Sequence, residues 1–179
     1  MRTSRTVVMV LLVIGLCACK SASGEKEAAA LIKKANGVWD QKDKTTKAWT
    51  TEYANGFAPE NRAKFPANRA SLQTSADKIV KLLDEETRIT NEALEQYEQA
   101  NALIKEEWKQ RGISLLISSL RKTLHSYEFL KSQIKLVYDE SIVDAKTFEE
   151  RFQELGGQFG KALRESQVEF NEGRRILGI

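Results

Sequence analysis

The sequence predicts an all-α protein, an elongated antiparallel bundle of three or four long helices that follows an N-terminal signal helix. Three observations predict this class. Apolar residues recur every three or four positions over most of residues 24–177, which is the spacing of one helix face. The only prolines are Pro59 and Pro66, and proline is the residue that breaks helices most strongly. No useful stretch alternates apolar and polar residues in the way that a half-buried strand does.

Residues 1–18 have the pattern of a secretory signal peptide. Arg2 and Arg5 give a positively charged start, and an unbroken apolar run of ten residues follows from Val7 to Leu16. A membrane-spanning helix needs about 20 apolar residues, so this run is too short for a permanent span. A charged start before a short apolar run is typical of a signal peptide. The alternative is a buried core helix of a cytosolic protein, and the uninterrupted run argues against it.

The segment Leu16-Cys17-Ala18-Cys19 ends this run and resembles the lipobox of bacterial lipoproteins. It has an aliphatic residue, two small residues and then a cysteine, all in register with the apolar run. The resemblance covers residues 1–20 only. It implies that the signal peptide is removed before Cys19 and that a diacylglycerol is attached to the sulfur of Cys19. Cys17 is a competing attachment site, but Leu16 is too large for the position before the cleaved bond.

The resemblance also implies a location. Two or three acyl chains hold a protein firmly in a membrane, whereas a single chain binds marginally. Lys20, and not an aspartate, follows Cys19, and in this family that implies export to the outer membrane. We therefore expect residues 19–24 to be a lipidated tether. Residues 25–179 are expected to form one helical-bundle domain in the bacterial cell envelope.

The composition of the chain after residue 18 excludes some partners. Without Arg2 and Arg5, the 28 basic residues of the whole chain fall to 26, against 25 acidic residues. A nearly neutral domain shows no electrostatic footprint for nucleic acid, so no nucleic-acid partner is expected. Both cysteines precede residue 20, so the domain has to be stable without a disulfide.

The first helix is predicted over residues 24–55. Its seam follows the alternation of four and three residues that is typical of helix packing, at Ala28, Ile32, Ala35, Trp39, Lys42, Thr46, Trp49 and Tyr53. Asn55-Gly56 is a good end signal. Residues 56–66 are predicted to connect to the next helix, with a possible helical turn after Pro59.

The second helix is predicted from near residues 66–70 to about residue 111. Beyond Trp108 the apolar face rotates, so either the chain reverses at Gly112 or one very long helix changes its packing partner there. We favour reversal, with Ser114 capping a third helix over 114–138. The third helix is the most apolar and is expected at the centre of the bundle.

The fourth helix is predicted over residues 145–177. Asp144 is the expected N-cap, and Gly178 is expected to end the helix. Gly156, Gly157 and Gly160 interrupt the apolar face of this helix. The spacing of Gly156 and Gly160 permits a close helix approach, and a kink at this point is an equal alternative.

Catalytic and metal-binding motifs are absent from the sequence. His125 is the only histidine, and it is interpreted as a residue of the helix surface. The acidic groups Asp84-Glu85-Glu86, Glu106-Glu107 and Glu149-Glu150-Glu154 have basic residues at helical spacing, which favours solvated salt bridges over catalytic pairs. We therefore assign no catalytic, cofactor-binding or metal-binding residue, and we expect no enzymatic activity. Cys19 is the one assigned site.

Polar residues on the predicted seams leave alternatives open. Lys42 and Thr46 interrupt the first seam, and Glu86, Thr90 and Asn101 interrupt the second. Such residues set the register of packed helices, line a small cavity, or lie in solvent, which is the favoured interpretation. The aromatic residues of the first helix, Trp39, Trp49 and Tyr53, are interpreted as core, with an exposed stripe for a partner as the alternative.

Two functions remain for the domain. The first is a non-enzymatic interaction or structural module that holds a protein partner in the envelope. The alternative is a carrier that binds a small or lipidic ligand between helices, near Lys42, Thr46 and Thr90. The membrane is an expected partner in both, through the lipid on Cys19.

Overall fold

The computed structural model describes residues 24–179, and these residues form an all-α helical bundle with no strand. The predicted signal peptide (1–18), Cys19 and nearly all of the predicted tether lie outside the described residues. Within residues 24–179, no helix combines the length and the apolar character that a membrane span requires.

Six α-helices and one 3₁₀ turn follow one another in the described chain. They are α1 (24–40), α2 (Lys42–Gly56), α3 (Pro59–Arg62), α4 (Arg69–Leu103), α5 (Glu107–Lys135), the 3₁₀ turn Leu136–Tyr138, and α6 (Ala145–Leu177).

The first predicted helix is interrupted once. The amide of Gln41 bonds to the carbonyl of Val38 at 3.1 Å, a spacing of three residues that tightens the helix locally. The prediction of one unbroken helix over 24–55 is therefore wrong at Gln41, although both parts pack as the seam indicated. Trp49 is buried, and Trp39 and Tyr53 pack against the core. The core interpretation of these aromatic residues is confirmed.

The chain reverses at Ile104–Glu106 and not at Gly112. Ile104 and Glu106 have extended backbones (ψ 134° and 116°), and the side chain of Gln110 donates to the Ile104 carbonyl at 2.7 Å. Ile104 is buried, whereas Trp108, which we placed on the same seam, is 53% exposed. Helix α5 therefore starts at Glu107, and Ser114 does not cap it.

Gly112 instead permits a close contact between α5 and α6. A Cβ atom at Gly112 would lie 2.8 Å from Cγ of Leu177, and a Cβ atom at Gly173 would lie 2.8 Å from the Gly112 carbonyl oxygen. The backbone carbonyl of Gly112 cannot move aside, so Gly173 requires glycine, whereas a side chain at position 112 would force the Leu177 side chain to shift. The apolar face changes position along the sequence because the chain reverses at Ile104–Glu106 and a new helix begins at Glu107.

The limits of α6 agree with the prediction. The Asp144 carboxylate accepts a hydrogen bond from the Thr147 amide at 2.9 Å, and Gly178 ends the helix with a left-handed backbone (φ 68°). The helix passes through Gly156, Gly157 and Gly160 without a break, in agreement with the predicted helix over 145–177. A Cβ atom at Gly156 would lie 2.6 Å from the side-chain nitrogen of Gln133, which confirms close packing at this position.

The core has two apolar clusters separated by polar residues. The near cluster, beside residue 24, runs from Ala28 to Leu120 and includes Tyr97 and Ile113. The far cluster includes Trp49, Leu83 and Phe148. A group of side chains from four helices lies between the two clusters, and we call it the polar layer. Its members are Thr46, Glu86, Ser119, Thr123, Tyr127 and Ser166.

Candidate functional site

The carboxylate of Glu86 is the centre of the polar layer. Glu86 is only 1% exposed. Its Oε1 accepts hydrogen bonds from the Thr46 hydroxyl at 2.5 Å and from the Tyr127 phenol at 2.8 Å. Its Oε2 accepts a hydrogen bond from the Trp49 indole. One carboxylate therefore joins α2, α4 and α5.

Helical spacing explains why these donors converge. Thr46 and Trp49 are three residues apart on α2 and share one face. Glu86 follows the buried Leu83 at the same spacing on α4, so it faces the bundle interior. Thr90 lies one turn further along α4, where it is buried and donates to the Glu86 carbonyl at 2.7 Å.

The charge of Glu86 has no basic partner among the described residues. None of the ion pairs formed within residues 24–179 includes it. A buried charge held only by neutral donors costs free energy unless something else compensates it. Burial, and next the Glu86 charge, raise the pKa of Tyr127 far above that of an ordinary tyrosine. The phenol therefore keeps its proton and donates a hydrogen bond to Glu86.

A cavity of about 240 Å³ opens beside this carboxylate, and we call it the Glu86 pocket. Its aromatic walls include Trp39 and Trp49. Trp39 lies 5.5 Å from Phe170 and Trp49 lies 6.4 Å from Phe159, between ring centroids. The other lining residues are Lys42, Thr46, Ser119, Thr123, Tyr127, Leu163, Ser166 and Gln167.

Three buried hydroxyl groups from α5 and α6 also line the pocket. Ser166 lies 3.0 Å from Ser119 and 2.7 Å from Thr123, between hydroxyl oxygens. Ser166 also donates to the Ser119 carbonyl at 2.9 Å. These groups satisfy one another and keep acceptor capacity on their oxygens.

Lys42 is the one basic residue that lines the Glu86 pocket. It is half-buried, and its ammonium lies 4.6 Å from the centroid of the Trp39 ring. At this distance, an ammonium is attracted to the face of an indole. The chain's own ammonium thus occupies an aromatic wall of the pocket.

The structure brings together most of the polar seam residues that the sequence singled out. Lys42, Thr46 and Glu86 line one cavity, and Thr90 lies beside it. The favoured interpretation, solvent exposure, is wrong for Glu86 and Thr90, because both are buried. Asn101 is not part of this site and lines a separate surface groove with His125.

The remaining acidic groups largely match their interpretation. Asp84 pairs with Lys131 at 2.9 Å, and Glu85 pairs with Arg88 at 2.8 Å, at the surface. Only Glu86 departs from the solvated face. His125 is exposed, with its ring 4.6 Å from that of Phe129. Within residues 24–179 no group of His, Cys, Asp or Glu is arranged to hold a metal ion.

Sequence reasoning missed the part of the pocket that α5 and α6 contribute. Ser119, Thr123 and Tyr127 recur every four residues on α5 and all are buried, so they form a polar stripe on an otherwise apolar face. That spacing was the available signal. Ser166 has no comparable pattern around it on α6, and only the structure places it here.

A second cavity, of about 370 Å³, lies beside the start of the described chain, and we call it the end pocket. It is lined by Glu25, Ala28, Ala29, Ile32, Lys33, Asn36, Ile104, Trp108, Lys109, Leu177 and Ile179. Trp108 and Ile179 are 53% and 41% exposed. The other large exposed apolar side chains of the described residues do not line it.

No protein-family model, curated protein or solved structure matches this chain.

Proposed function

We propose that the chain is a lipoprotein of the bacterial cell envelope, anchored through Cys19 and exported to the outer membrane. The lipobox-like segment Leu16-Cys17-Ala18-Cys19 supports this proposal. Residues 1–18 are the removed signal peptide, which forms an N-terminal signal helix before cleavage. The mature domain is an elongated antiparallel bundle that stands on a short tether.

The anchor is tested by acyl labelling in cells with two matched cysteine variants. Cys19→Ala is expected to lose the label and to accumulate as an uncleaved precursor. Cys17→Ala, two residues away, is expected to keep the label and to be cleaved normally. Labelling that survives in Cys19→Ala, or that is lost only in Cys17→Ala, would refute the assignment.

The bundle is proposed to be a non-enzymatic carrier that holds a small ligand between its helices. The observation that supports this function is the Glu86 pocket, a lined cavity with a buried, unpaired carboxylate on its wall. Ligand sites are concave and mostly apolar, with a few polar groups that fix orientation. The pocket has aromatic walls around Glu86, Lys42 and the hydroxyl groups of Thr46, Ser119, Thr123, Tyr127 and Ser166.

The carrier function is tested by blocking the pocket. Leu163 lines it and is 37% exposed, whereas Val168 on the same helix is 69% exposed and lies outside it. We expect Leu163→Trp to fill the entrance and Val168→Trp to leave it open. Saturation-transfer NMR with a mixture of cationic, neutral and anionic monocyclic aromatic compounds measures occupancy.

Wild type and Val168→Trp should each show binding of at least one compound, and Leu163→Trp should lose it at least tenfold. Circular dichroism checks that all three proteins are folded. Binding that is equal in the three proteins would place the ligand elsewhere. No binding by folded wild type would contradict the carrier function.

A second candidate function is an interaction module for a protein partner, and the end pocket is the observation that favours it. Trp108 and Ile179 are two large exposed apolar side chains that line a common cavity. Exposed apolar surface of this kind marks interaction sites. A photo-crosslinking residue at position 108 is expected to capture a specific envelope protein in intact cells. The same residue at Val143, which is 71% exposed, should not, and equal capture at both positions would reject the module.

A further inference from the structure

We infer that the ligand of the Glu86 pocket is a small organic ammonium compound with an apolar body. This inference rests on the carrier function and names the chemical class of its ligand. Three properties of the pocket support it: its charge, its walls and its size.

The charge of the pocket favours a cation. Glu86 is the one acidic residue on its wall, and the donors that hold it, Thr46, Trp49 and Tyr127, are neutral. A carboxylate has about four acceptor sites, so three donors leave capacity for another. Lys42 also lines the pocket, but its ammonium lies against Trp39 and forms no ion pair with Glu86. An ammonium ligand that enters the cavity gives Glu86 the contacting opposite charge that Lys42 does not. An anionic ligand would meet the same carboxylate at close range.

The walls are suited to the same class of ligand. Trp39, Trp49, Phe159 and Phe170 present aromatic rings to the cavity, and aromatic rings attract ammonium groups through their faces. The ammonium of Lys42 lies against Trp39, so this wall accepts a cation. The hydroxyl oxygens of Ser119 and Thr123 provide further acceptors for ammonium hydrogens.

The size of the cavity limits the ligand. A volume of about 240 Å³ lies below the usual range of about 300–1,000 Å³ for drug-sized ligands. A single ring or a short alkyl chain that carries one ammonium group suits this space.

Isothermal titration of the mature, detergent-purified protein with three probes of similar shape tests the inference. The probes are 2-phenylethylammonium, 2-phenylethanol and 3-phenylpropanoate, which are cationic, neutral and anionic. The ammonium probe is expected to bind at least tenfold more tightly than the alcohol, and the carboxylate probe is expected to bind most weakly.

Two substitutions assign the preference to the pocket. Glu86→Gln keeps the shape of the side chain and is expected to abolish the preference for the ammonium probe. Its matched control is Glu52→Gln. Glu52 lies on α2 and, like Glu86, accepts side-chain hydrogen bonds, in its case from Ser75 and Lys78, but it lies outside the pocket. Glu52→Gln should bind like wild type.

Lys42→Met gives an independent result if Glu86→Gln does not fold. It removes the competing ammonium, so the ammonium probe is expected to bind several-fold more tightly and the carboxylate probe more weakly. Weaker or unchanged binding of the ammonium probe would overturn the inference.

The two proposals fail in different ways. If folded wild type binds the alcohol or the carboxylate as tightly as the ammonium probe, the ligand class is overturned and the carrier function stands. If none of the three probes binds to folded wild type, both are overturned.

Discussion

At the scale of single residues, Glu86 shows how much of a site depends on its neighbours. Its place on a predicted seam indicated that it faces other helices. The sequence around it, Asp84-Glu85-Glu86, equally indicated a solvated acidic face. Hydrogen-bond donors from α2 and α5 decide whether Glu86 is buried or solvated. The spacing of residues within α4 contains no information about either of those helices. The position of Glu86 was therefore predictable, but its burial was not.

Tyr127→Phe tests the stability contribution of this carboxylate. The change removes one donor from Glu86 and leaves the ring in place, so we expect the free energy of unfolding to fall by about 1–3 kcal/mol. The matched control is Tyr138→Phe, because Tyr138 donates to Asp77 at 2.6 Å but is 43% exposed. Urea denaturation of both variants measures the difference. Equal losses would show that burial of the acceptor is irrelevant.

The ion pair of Arg62 and Glu149 predicts a response to acid. The guanidinium of Arg62 donates to both carboxylate oxygens of Glu149, at 2.8 and 3.0 Å. This hydrogen bonding lowers the pKa of Glu149 below its ordinary value of 4.5. Because the pKa is lower in the folded state, the pair stabilises the fold above that value. The contribution is lost as the pH falls through the folded-state pKa.

Glu149→Gln makes this prediction measurable. Wild type should be more stable than the variant at neutral pH, and the difference should shrink steadily below about pH 4.5. Glu150→Gln is the control, since Glu150 and Lys146 are strongly exposed and 3.8 Å apart. Its difference from wild type should stay near zero. A Glu149→Gln difference that grows in acid would contradict the assigned direction of the pKa shift.

At the scale of helices, the boundaries that carry a local sequence signal are the ones that were predicted correctly. Asp144 and Gly178 are local signals, and the structure confirms both. The reversal at Ile104–Glu106 has no glycine or proline and depends on Ile104 reaching the near cluster, so no local pattern marks it. Gly112 was predicted to break the helix. A sequence alone does not distinguish a glycine that ends a helix from a glycine that permits a second helix to pack closely. Tertiary packing against α6 gives Gly112 the second role.

The close contact between α5 and α6 predicts that two Gly→Ala substitutions on α6 change the free energy of unfolding in opposite directions. At Gly173 a methyl group would meet the backbone of α5, so Gly173→Ala is expected to lower the free energy of unfolding by about 1–3 kcal/mol. At Gly157 nothing lies within 4 Å of the added Cβ atom. Gly157→Ala is therefore expected to raise the free energy of unfolding by up to about 1 kcal/mol. Thermal and urea unfolding measure both, and a stable Gly173→Ala protein would refute the close contact.

At the scale of the whole molecule, the two apolar clusters are joined by α4, α5 and α6. Each of these helices contributes residues to both clusters or packs on both. The polar layer between them is tied together by hydrogen bonds, so neither cluster unfolds without exposing it. The all-α class was predictable from periodicity, but the number of helices was not, because the first predicted helix is divided at Gln41. The division of the core was not, because it arises from residues of four helices that meet at one level.

Equilibrium unfolding should accordingly be a single transition. Fluorescence of Trp49 in the far cluster and of Trp39 beside the near cluster, each as the sole tryptophan, should report the same urea midpoint as circular dichroism. Replacing Trp108 by phenylalanine in both proteins removes the exposed indole from the signal. Two separated midpoints would show that the clusters unfold independently.

The length of α4 sets the distance between the Glu86 pocket and the end of the bundle at which the described chain begins. Gly24 approaches the carbonyl of Leu103, so the described chain begins at the end of the bundle where α4 ends. From Leu103 back to Glu86, α4 rises about 26 Å at 1.5 Å per residue. Under the proposed anchor at Cys19, the proposed binding site would lie in the aqueous compartment above the lipid headgroups. A molecule that dissolves in water would then reach the site directly, whereas a lipid would first have to leave the bilayer completely.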